Sequence, residues 1–442
     1  MADGAKQLVR WLDELGRISD ESGKLTRTFL SPAMRRANDR VAQWMRAAGL
    51  TVREDAVGNL IGRIEAASCR AGSLTPPGLT EVARTSRRGR RPGPTTTKTL
   101  LLGSHLDTVR DAGKFDGALG VLLPIVALAE LKRRGVALPF AVEVLGFSEE
   151  EGVRFASAYL GSKGYAGKLT AADLARRDAD GVSVREVIGS WRRGAPAAFL
   201  SRAAPSAPRR QQLLGYLEIH IEQGPVLERE KLAVGVVSAI AGQSRFQLTW
   251  TGRAGHAGTT PMALRRDALA AAAEFAVGVE ALARRTRGLV ATIGALSVAP
   301  GAANVIPGEV THTLDVRHAD DRARRRARMA LGRRATQNAA RRPVARAWRR
   351  TQENGAVRCA PLLTARLARS AKSVQGRAPS LVSGAGHDGM VISALTPVAM
   401  LFVRCRAGLS HHPDEFAAPA DLAVALAVVV DFLERLARDN SP

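Results

Sequence analysis

The sequence predicts an α/β protein of two domains, a mostly parallel sheet with its helices interrupted by a smaller α+β domain. Three observations predict it. TLLLGSHLD (99–107) and PFAVEVLGFS (139–148) read as short buried strands, joined by a helical stretch with a broad apolar face over Gly117–Gly135. Strand, helix and strand at this spacing make a parallel pair, because the crossover returns the chain to the same end of the sheet. From about residue 242 the pattern changes to alternating segments, FQLTWTG and GEVTHTLDVR, with an alanine-rich helix over roughly 262–285 and a basic helix after His318. The tail then returns to the first pattern, with the strand PVAMLFV (397–403) and a helix over Asp421–Arg438. At 442 residues the chain exceeds one ordinary domain. Residues 1–241 with 354–442 read as one domain and 242–353 as an insertion in it.

The remaining elements follow in order. Residues 5–18 and 33–49 have helical periodicity, the second running from the start signal Ser31-Pro32 to a stop at Gly49. Thr51–Ile64 reads as strand and turn. Residues 66–98 are rich in Arg, Thr, Pro, Gly and Ser and read as a surface insertion; 193–212 reads as a second polar loop. YLEIHIEQG (216–224) alternates Leu217, Ile219 and Ile221 with Glu218, His220 and Glu222, as a strand buried on one side does. LVATIGALSV (289–298) reads as one strand and 383–389 as a loop.

Hydrophobic residues are 45% of the chain but aromatics only 4%, so aliphatic side chains and alanine must fill the core. The net charge of +24 is nearly all arginine. A basic surface can serve nucleic acid or an anionic membrane. The densest run, Arg322–Arg350, has no aromatic besides Trp348 and so lacks the stacking groups of a single-strand binder. An arginine-rich bias over solvated surfaces is the simpler reading, and neither a nucleic acid nor a membrane is expected as partner. Cys69, Cys359 and Cys405 are widely spaced and form no C-x-x-C. That argues against a disulfide framework or thiolate metal site and fits a reducing cytoplasm. The segment MADGAKQLVRWLDEL lacks the apolar core of a signal peptide. The longest apolar stretches, Val121–Leu131 and Leu422–Val430, are too short to span a bilayer.

The chemistry lies where the strands end. His105 and Asp107 close one buried strand, Glu149, Glu150 and Glu151 close the next, and Asp116 opens the helix between them. In an open parallel sheet, sites form along that edge. Singly, these residues read as a loop hydrogen bond, a helix cap and an acidic turn. Together they form a metal-binding constellation. Mixed imidazole and carboxylate donors suit Mn, Zn, Co or Ni. Two ions explain the number of candidates better than one, with a carboxylate such as Asp116 bridging and a free glutamate moving the proton. His220 has an exposed histidine as its plainer reading, and His411 and His412 a loop pair. His312 and His318 have no metal context and read as ordinary surface or lid histidines.

The motifs GSHLDT, KFDGALG, EEEGVRF, LEIHIEQGPVLE, AGHAGTTPM, NVIPG, LDVR, SGAGHD and SHHP occur in order along nearly the whole chain. The series resembles that of the allantoate amidohydrolase, N-carbamoyl-L-amino acid hydrolase and β-alanine synthase family, in the aminoacylase-type metallopeptidase clan. Residues 66–98 and 193–212 lie outside it, and 320–380 follows it loosely. The resemblance implies a dimetal catalytic domain with an inserted lid and dimerisation domain. It implies that His105, Asp116, Glu151, His220 and His411 hold two divalent ions, Mn or Zn with Co or Ni as alternatives. Asp107 would orient His105, Glu150 would be the general base and His256 would stabilise the oxyanion. Gln223, Arg245, Asn304 and Arg317 match substrate-binding positions, Arg317 as a carboxylate clamp. A cytoplasmic homodimer acting on a small anionic ureido substrate is expected.

Three positions depart from the family pattern: Gly389 where alanine is common, Ser244 within a usually basic run, and His412 where asparagine or serine is usual. LTRTFLSPAMRRAN and MLFVRCRAGLSHHP resemble allantoate amidohydrolases more than carbamoylases. The expected reaction is therefore hydrolysis of allantoate to ureidoglycine, ammonia and carbon dioxide, with N-carbamoyl-L-amino acids as the alternative substrates. A non-enzymatic nucleic-acid or scaffold protein on the same fold is a third reading, disfavoured by the intact ligand set.

Overall fold

The structure is a computed structural model that describes residues 2–67, 98–191 and 207–440. Residues 68–97 of the expected first insertion, and 193–206 of the second loop, lie outside the described residues. The chain divides into two compact units: residues 1–237, 359–380 and 387–442, and residues 238–358 with 381–386.

The first unit opens with α1 (Ala2–Leu15) and α2 (Pro32–Ala47). The Ser31 hydroxyl accepts the Met34 N–H and Pro32 fills the first turn, so α2 starts where an N-cap followed by proline dictates. A hairpin of β1 (Thr51–Glu54) and β2 (Leu60–Ile64) follows, then β3 (Thr99–His105), α3 (Ala118–Arg133) and β4 (Ala141–Phe147). Three short helices, α4 (Leu160–Tyr165), α5 (Ala171–Ala175) and α6 (Val184–Trp191), precede β5 (Leu213–Ile221) and α7 (Val226–Glu230). β6 (Val234–Ile240) leads into the second unit.

That unit comprises β7 (Gly242–Thr251), β8 (Gly255–His256), α8 (Ala268–Arg285), β9 (Val290–Thr292), β10 (Leu296–Ala299), β11 (Val305–Ile306), β12 (Glu309–His318), α9 (Asp321–Arg341), β13 (Ala345–Asn354) and β14 (Val357–Arg358). The chain ends with α10 (Pro361–Gln375), β15 (Ser380–Ser383), α11 (Gly389–Ile392), β16 (Val398–Val403) and α12 (Pro419–Asp439).

The large sheet has the order β1-β2-β4-β3-β5-β16-β6-β14, with β15 also on β6. Its central strands β4, β3, β5 and β16 are parallel, and the pairs flanking them are antiparallel. Every residue of β3 and β4 is buried, which explains their mostly apolar sequences. α3 is apolar all round for the same reason, with thirteen of its sixteen residues buried. The smaller sheet, β10-β12-β7-β13 with β9 on β12, is antiparallel throughout. Phe246, Leu248, Trp250, Val310, Leu314 and Val316 pack on α8 and α9 residues such as Phe275 and Leu331, forming a core of its own.

Three expectations are corrected. β5 is buried on both faces from Gly215 to Ile221, because it is a central strand and its polar face looks into a site. LVATIGALSV is two strands, β9 and β10, each pairing β12. The alanine-rich helix begins at Ala268, where the Asp267 carboxylate accepts the Ala270 N–H; residues 262–264 form a separate turn of 3₁₀ helix. The Ser244 departure has a structural counterpart. Ser244 is buried beneath α9, and the buried Arg324 guanidinium donates to its hydroxyl at 2.9 Å.

Candidate metal centre

In the parallel core, His105 registers with Phe147 and His220 with Phe402, so the C-terminal ends of β3, β4, β5 and β16 lie along one edge. His105 Nδ1 lies 3.0 Å from the Asp107 main-chain oxygen, and His220 Nδ1 lies 2.9 Å from that of Ile221. A carbonyl only accepts, so each Nδ1 carries the proton and each Nε2 presents a lone pair. Both Nε2 atoms face one oxygen of Asp116, at 3.4 Å from His105 and 3.0 Å from His220. Lone pairs that close repel unless a proton or a cation lies between them. A proton can take that place: burial alone would lower the His105 pKa, but hydrogen bonds to Asp107 and Asp116 hold it well above its ordinary value. Burial likewise opposes ionisation of Asp116, yet His220, His105 and His411 hold its carboxyl well below the usual range.

The other oxygen of Asp116 accepts from the Ser410 hydroxyl at 2.7 Å and the Gln223 amide at 2.9 Å, with His411 Nε2 at 3.3 Å. His411 Nε2 is also 3.5 Å from Glu151. His411 (φ +57°) and Gln223 (φ +54°) both adopt the left-handed conformation uncommon for residues with side chains, and such strain clusters at functional sites. The Asp116 turn is held from behind by Glu415, whose carboxylate accepts the Phe115 and Asp116 N–H groups at 2.9 and 3.0 Å. Gly117 is required here: its φ is +64°, and a Cβ would lie 2.4 Å from the His105 ring.

Asp107 orders the acidic turn. Its carboxylate accepts the Glu150 N–H at 3.0 Å and the Glu151 N–H at 3.1 Å, and stays 3.3 Å from His105 Nδ1. Glu149 accepts the Gly152 N–H. Burial raises the Glu149 and Glu150 carboxyls well above the usual range, and burial followed by the Asp116 charge raises Glu151 to about 7. Buried, mutually repelling carboxylates beside two imidazole lone pairs are a donor set short of positive charge. Three overlapping groups have ligand atoms within 4.8 Å of one another: His105–Asp116–His220, His105–Glu150–Glu151 and Asp116–Glu151–His411. Shared members link the three groups into one cluster that could hold a metal ion. His412 belongs to none of these groups; its Nδ1 accepts the Asp414 N–H and caps the turn.

Residues 101–435 match the Peptidase family M20/M25/M40. The chain belongs to this family. The M20 match takes in His105, Asp116, the acidic turn, His220 and His411. Among curated proteins, this M20 chain is 39% identical to allantoate deiminase 2 of Glycine max, covering 97% of the chain and 89% of that protein. It is 38% identical to the N-carbamoyl-L-amino acid amidohydrolase of Geobacillus stearothermophilus, covering 98% of each. A solved amidase of the hydantoinase/carbamoylase family from Burkholderia multivorans superposes with a TM-score of 0.84 at 30% identity, over 98% of each chain.

The other candidate residues of this M20 member lie as follows. In the second unit, His256 is exposed on β8, which pairs β11, and Ala257 donates its N–H to Asn304. His256 Nδ1 accepts two main-chain N–H groups, from Gly258 and Thr259, which leaves the ring proton on Nε2 as a free donor. Arg245 and Arg317 converge on Asp315, Arg317 bidentately at 2.9 and 3.1 Å, and line a cavity of about 810 Å³.

Four residues around the metal centre were not singled out from the sequence. Ser410 and Glu415 brace Asp116, Glu218 accepts from the Ser104 hydroxyl and the Gly389 N–H, and buried His387 packs 4.5 Å from the His220 ring. His387 and Ser410 stand inside the motifs SGAGHD and SHHP, and Glu415 two residues past the second, so position was the available signal; Glu218 was read as solvent-facing.

Proposed function

We propose that this chain is a metal-dependent amidohydrolase that cleaves a ureido C–N bond, with allantoate as the favoured substrate and water as co-substrate. The products are ureidoglycine, ammonia and carbon dioxide. The observation that carries the reading is the convergence of two imidazole Nε2 lone pairs on one oxygen of Asp116, with His411 and Glu151 at the other side. The identity to the Glycine max allantoate deiminase over nearly the full chain supports the substrate class. The comparable identity to a bacterial N-carbamoyl-L-amino acid amidohydrolase supports the second reading, an N-carbamoyl amino acid cleaved by the same chemistry.

In this reading His105, Asp116, Glu151, His220 and His411 would hold two divalent cations, Mn or Zn. When bound, such cations supply Lewis acidity, drawing electron density from a carbonyl oxygen and acidifying water. Asp107 fixes the His105 tautomer and, through the Glu150 and Glu151 amides, the acidic turn. Glu150 Oε takes the proton of the attacking water and delivers it to the departing nitrogen. His256 Nε2–H is the donor assigned to the developing oxyanion. Gln223, Arg245, Asn304 and Arg317 are assigned to the substrate, Arg317 exchanging Asp315 for the substrate carboxylate in the same bidentate geometry. A homodimer and a cytoplasmic setting complete the proposal. Among the described residues no helix is long and apolar enough to cross a membrane.

The test is a panel assay with manganese present, offering allantoate, N-carbamoyl-L-amino acids, N-carbamoyl-β-alanine and ureidoglycolate. Highest kcat/KM on allantoate is expected. Preference for an N-carbamoyl-L-amino acid moves the assignment to the second reading, and no turnover of any ureido compound overturns both.

A further inference from the structure

LTRTFLSPAMRRAN is the motif that no ligand or substrate role absorbs, and the structure shows what its first half does. Arg27 is 1% exposed. Its guanidinium donates from Nε to the Leu106 carbonyl at 2.6 Å, and from Nη1 to the Leu15 and Ile18 carbonyls at 3.1 Å each. Its main chain forms a closed pair with Thr108: Arg27 N–H donates to the Thr108 hydroxyl and Thr108 N–H donates to the Arg27 carbonyl, both at 2.9 Å. Leu106 and Thr108 are the two neighbours of Asp107, so three hydrogen bonds from one residue fix both sides of the Asp107 peptide.

Neighbours of Arg27 extend the strap. The Leu25 carbonyl accepts the Ala112 N–H, the Thr26 hydroxyl accepts the Asp111 N–H, and the Phe29 carbonyl accepts from Arg154 just past the acidic turn. Phe29 and Phe155 meet edge to face. Segment 25–29 thus braces both loops that carry His105 and Glu149–Glu151.

A guanidinium removed from water needs compensation. Carbonyls solvate it without neutralising it, and the carboxylates acting on it are Asp107 and Asp20, which oppose the lowering of its pKa by burial to about 10. The charge cannot be lost at any ordinary pH, so it is a fixed cation beside the acidic turn.

We infer that Arg27 is a positioning residue for Asp107: it holds the Leu106–Thr108 turn from behind, so that one carboxylate reaches His105 and both the Glu150 and Glu151 amides. The inference rests on the metal-dependent reading through the role of Asp107. It also reassigns the motif. LTRTF supports the loops that carry the ligands and leaves the choice between ureido substrates to other residues.

The experiment compares full-length wild type, Arg27→Met, Arg27→Lys and Leu8→Ala, the last a buried residue of α1 that makes none of these hydrogen bonds. Mn²⁺ affinity is measured by calorimetry, the visible spectrum of the Co²⁺-loaded protein reports ligand geometry, and Tm is recorded with chelator. Arg27→Met is expected to weaken Mn²⁺ binding by about 10–100-fold and to alter the Co²⁺ spectrum. Arg27→Lys, which keeps charge without the fork, should fall between it and wild type. Leu8→Ala should lower Tm and leave both metal readouts unchanged. Should Arg27→Met not fold, Arg27→Lys and Thr108→Val carry the comparison. Wild-type affinity and spectrum in the Arg27 variants, or equal losses in Leu8→Ala, would overturn the inference alone. A wild-type protein that binds no metal would overturn the metal-dependent reading and this inference with it.

Discussion

Glu150 and Glu151 are adjacent in sequence but differently engaged. Glu151 lies against His411, whereas the Glu150 carboxylate is buried with no ion-pair partner among the described residues. Glu150→Gln should therefore keep both metals, measured by elemental analysis, and lose about 10²–10⁴-fold in kcat. Near-normal turnover would remove Glu150 from the proton-transfer role. Gly117 offers a complementary test of geometry. An alanine there places a Cβ against the His105 ring and strains a backbone at φ +64°. Besides about 1–2 kcal/mol of backbone cost, Gly117→Ala should release metal at chelator concentrations the wild type tolerates. Unchanged chelator resistance would mean that His105 can shift without loss.

At the scale of elements, the second unit contains a histidine whose chemistry is independent of the metal centre. His312, on β12, is 1% exposed. Its Nε2 accepts the Trp250 indole N–H at 2.9 Å, and its Nδ1 lies 3.2 Å from the Thr313 carbonyl. Neutral imidazole satisfies both contacts; imidazolium would point a second proton at an indole donor. Burial lowers its pKa below the ordinary value of 6.5. A lowered folded pKa means stability that is full above the unfolded value and declines as pH falls below it. The second unit should melt at lower temperature at pH 5 than at pH 7.5, and His312→Gln should flatten that slope; an unchanged slope would exclude His312 as its source. His312 also marks how far the sequence could be read. β3, β4 and α3 were legible because elements buried nearly all round are written as predominantly apolar runs. β5 was misread because Glu218, His220 and Glu222 alternate as solvent-facing residues do, although Glu218 and His220 look into a site. β13, ARAWRRTQEN, was not foreseen as a strand, since its arginines show that it is exposed but carry little strand signature. The braces on Asp116 from Ser410 and Glu415 span 294 and 299 residues, and no local period encodes a contact of that range.

At the scale of the whole molecule, the chain has two separate hydrophobic cores, and every candidate ligand belongs to the first unit. A ligand that binds only the folded state adds stability, about 2.7 kcal/mol at a hundred times its dissociation constant. Metal removal should therefore be local in effect. Dialysis against chelator should abolish activity and speed hydrogen exchange in β3 and α3, leaving exchange in α8 unchanged, and Mn²⁺ should restore both. Equal losses in α8, or full activity after stripping, would contradict the assignment. The +24 net charge suits an anionic substrate, since a positive field raises encounter rates, and that contribution should fade with added salt.

The brace on Asp116 also has a consequence in time. Glu415 is made 299 residues after the turn it supports. At roughly 5–20 residues per second, a ribosome takes about 15–60 s to cover that interval. For most of it, His105, Asp116, Glu150 and Glu151 already exist as chain, but the turn lacks its brace and His411 has not been made. The growing chain thus carries only part of the donor set until most of it has been synthesised, so hydrolytic competence should arise late in translation, in a chain whose apolar strands are already available to fold.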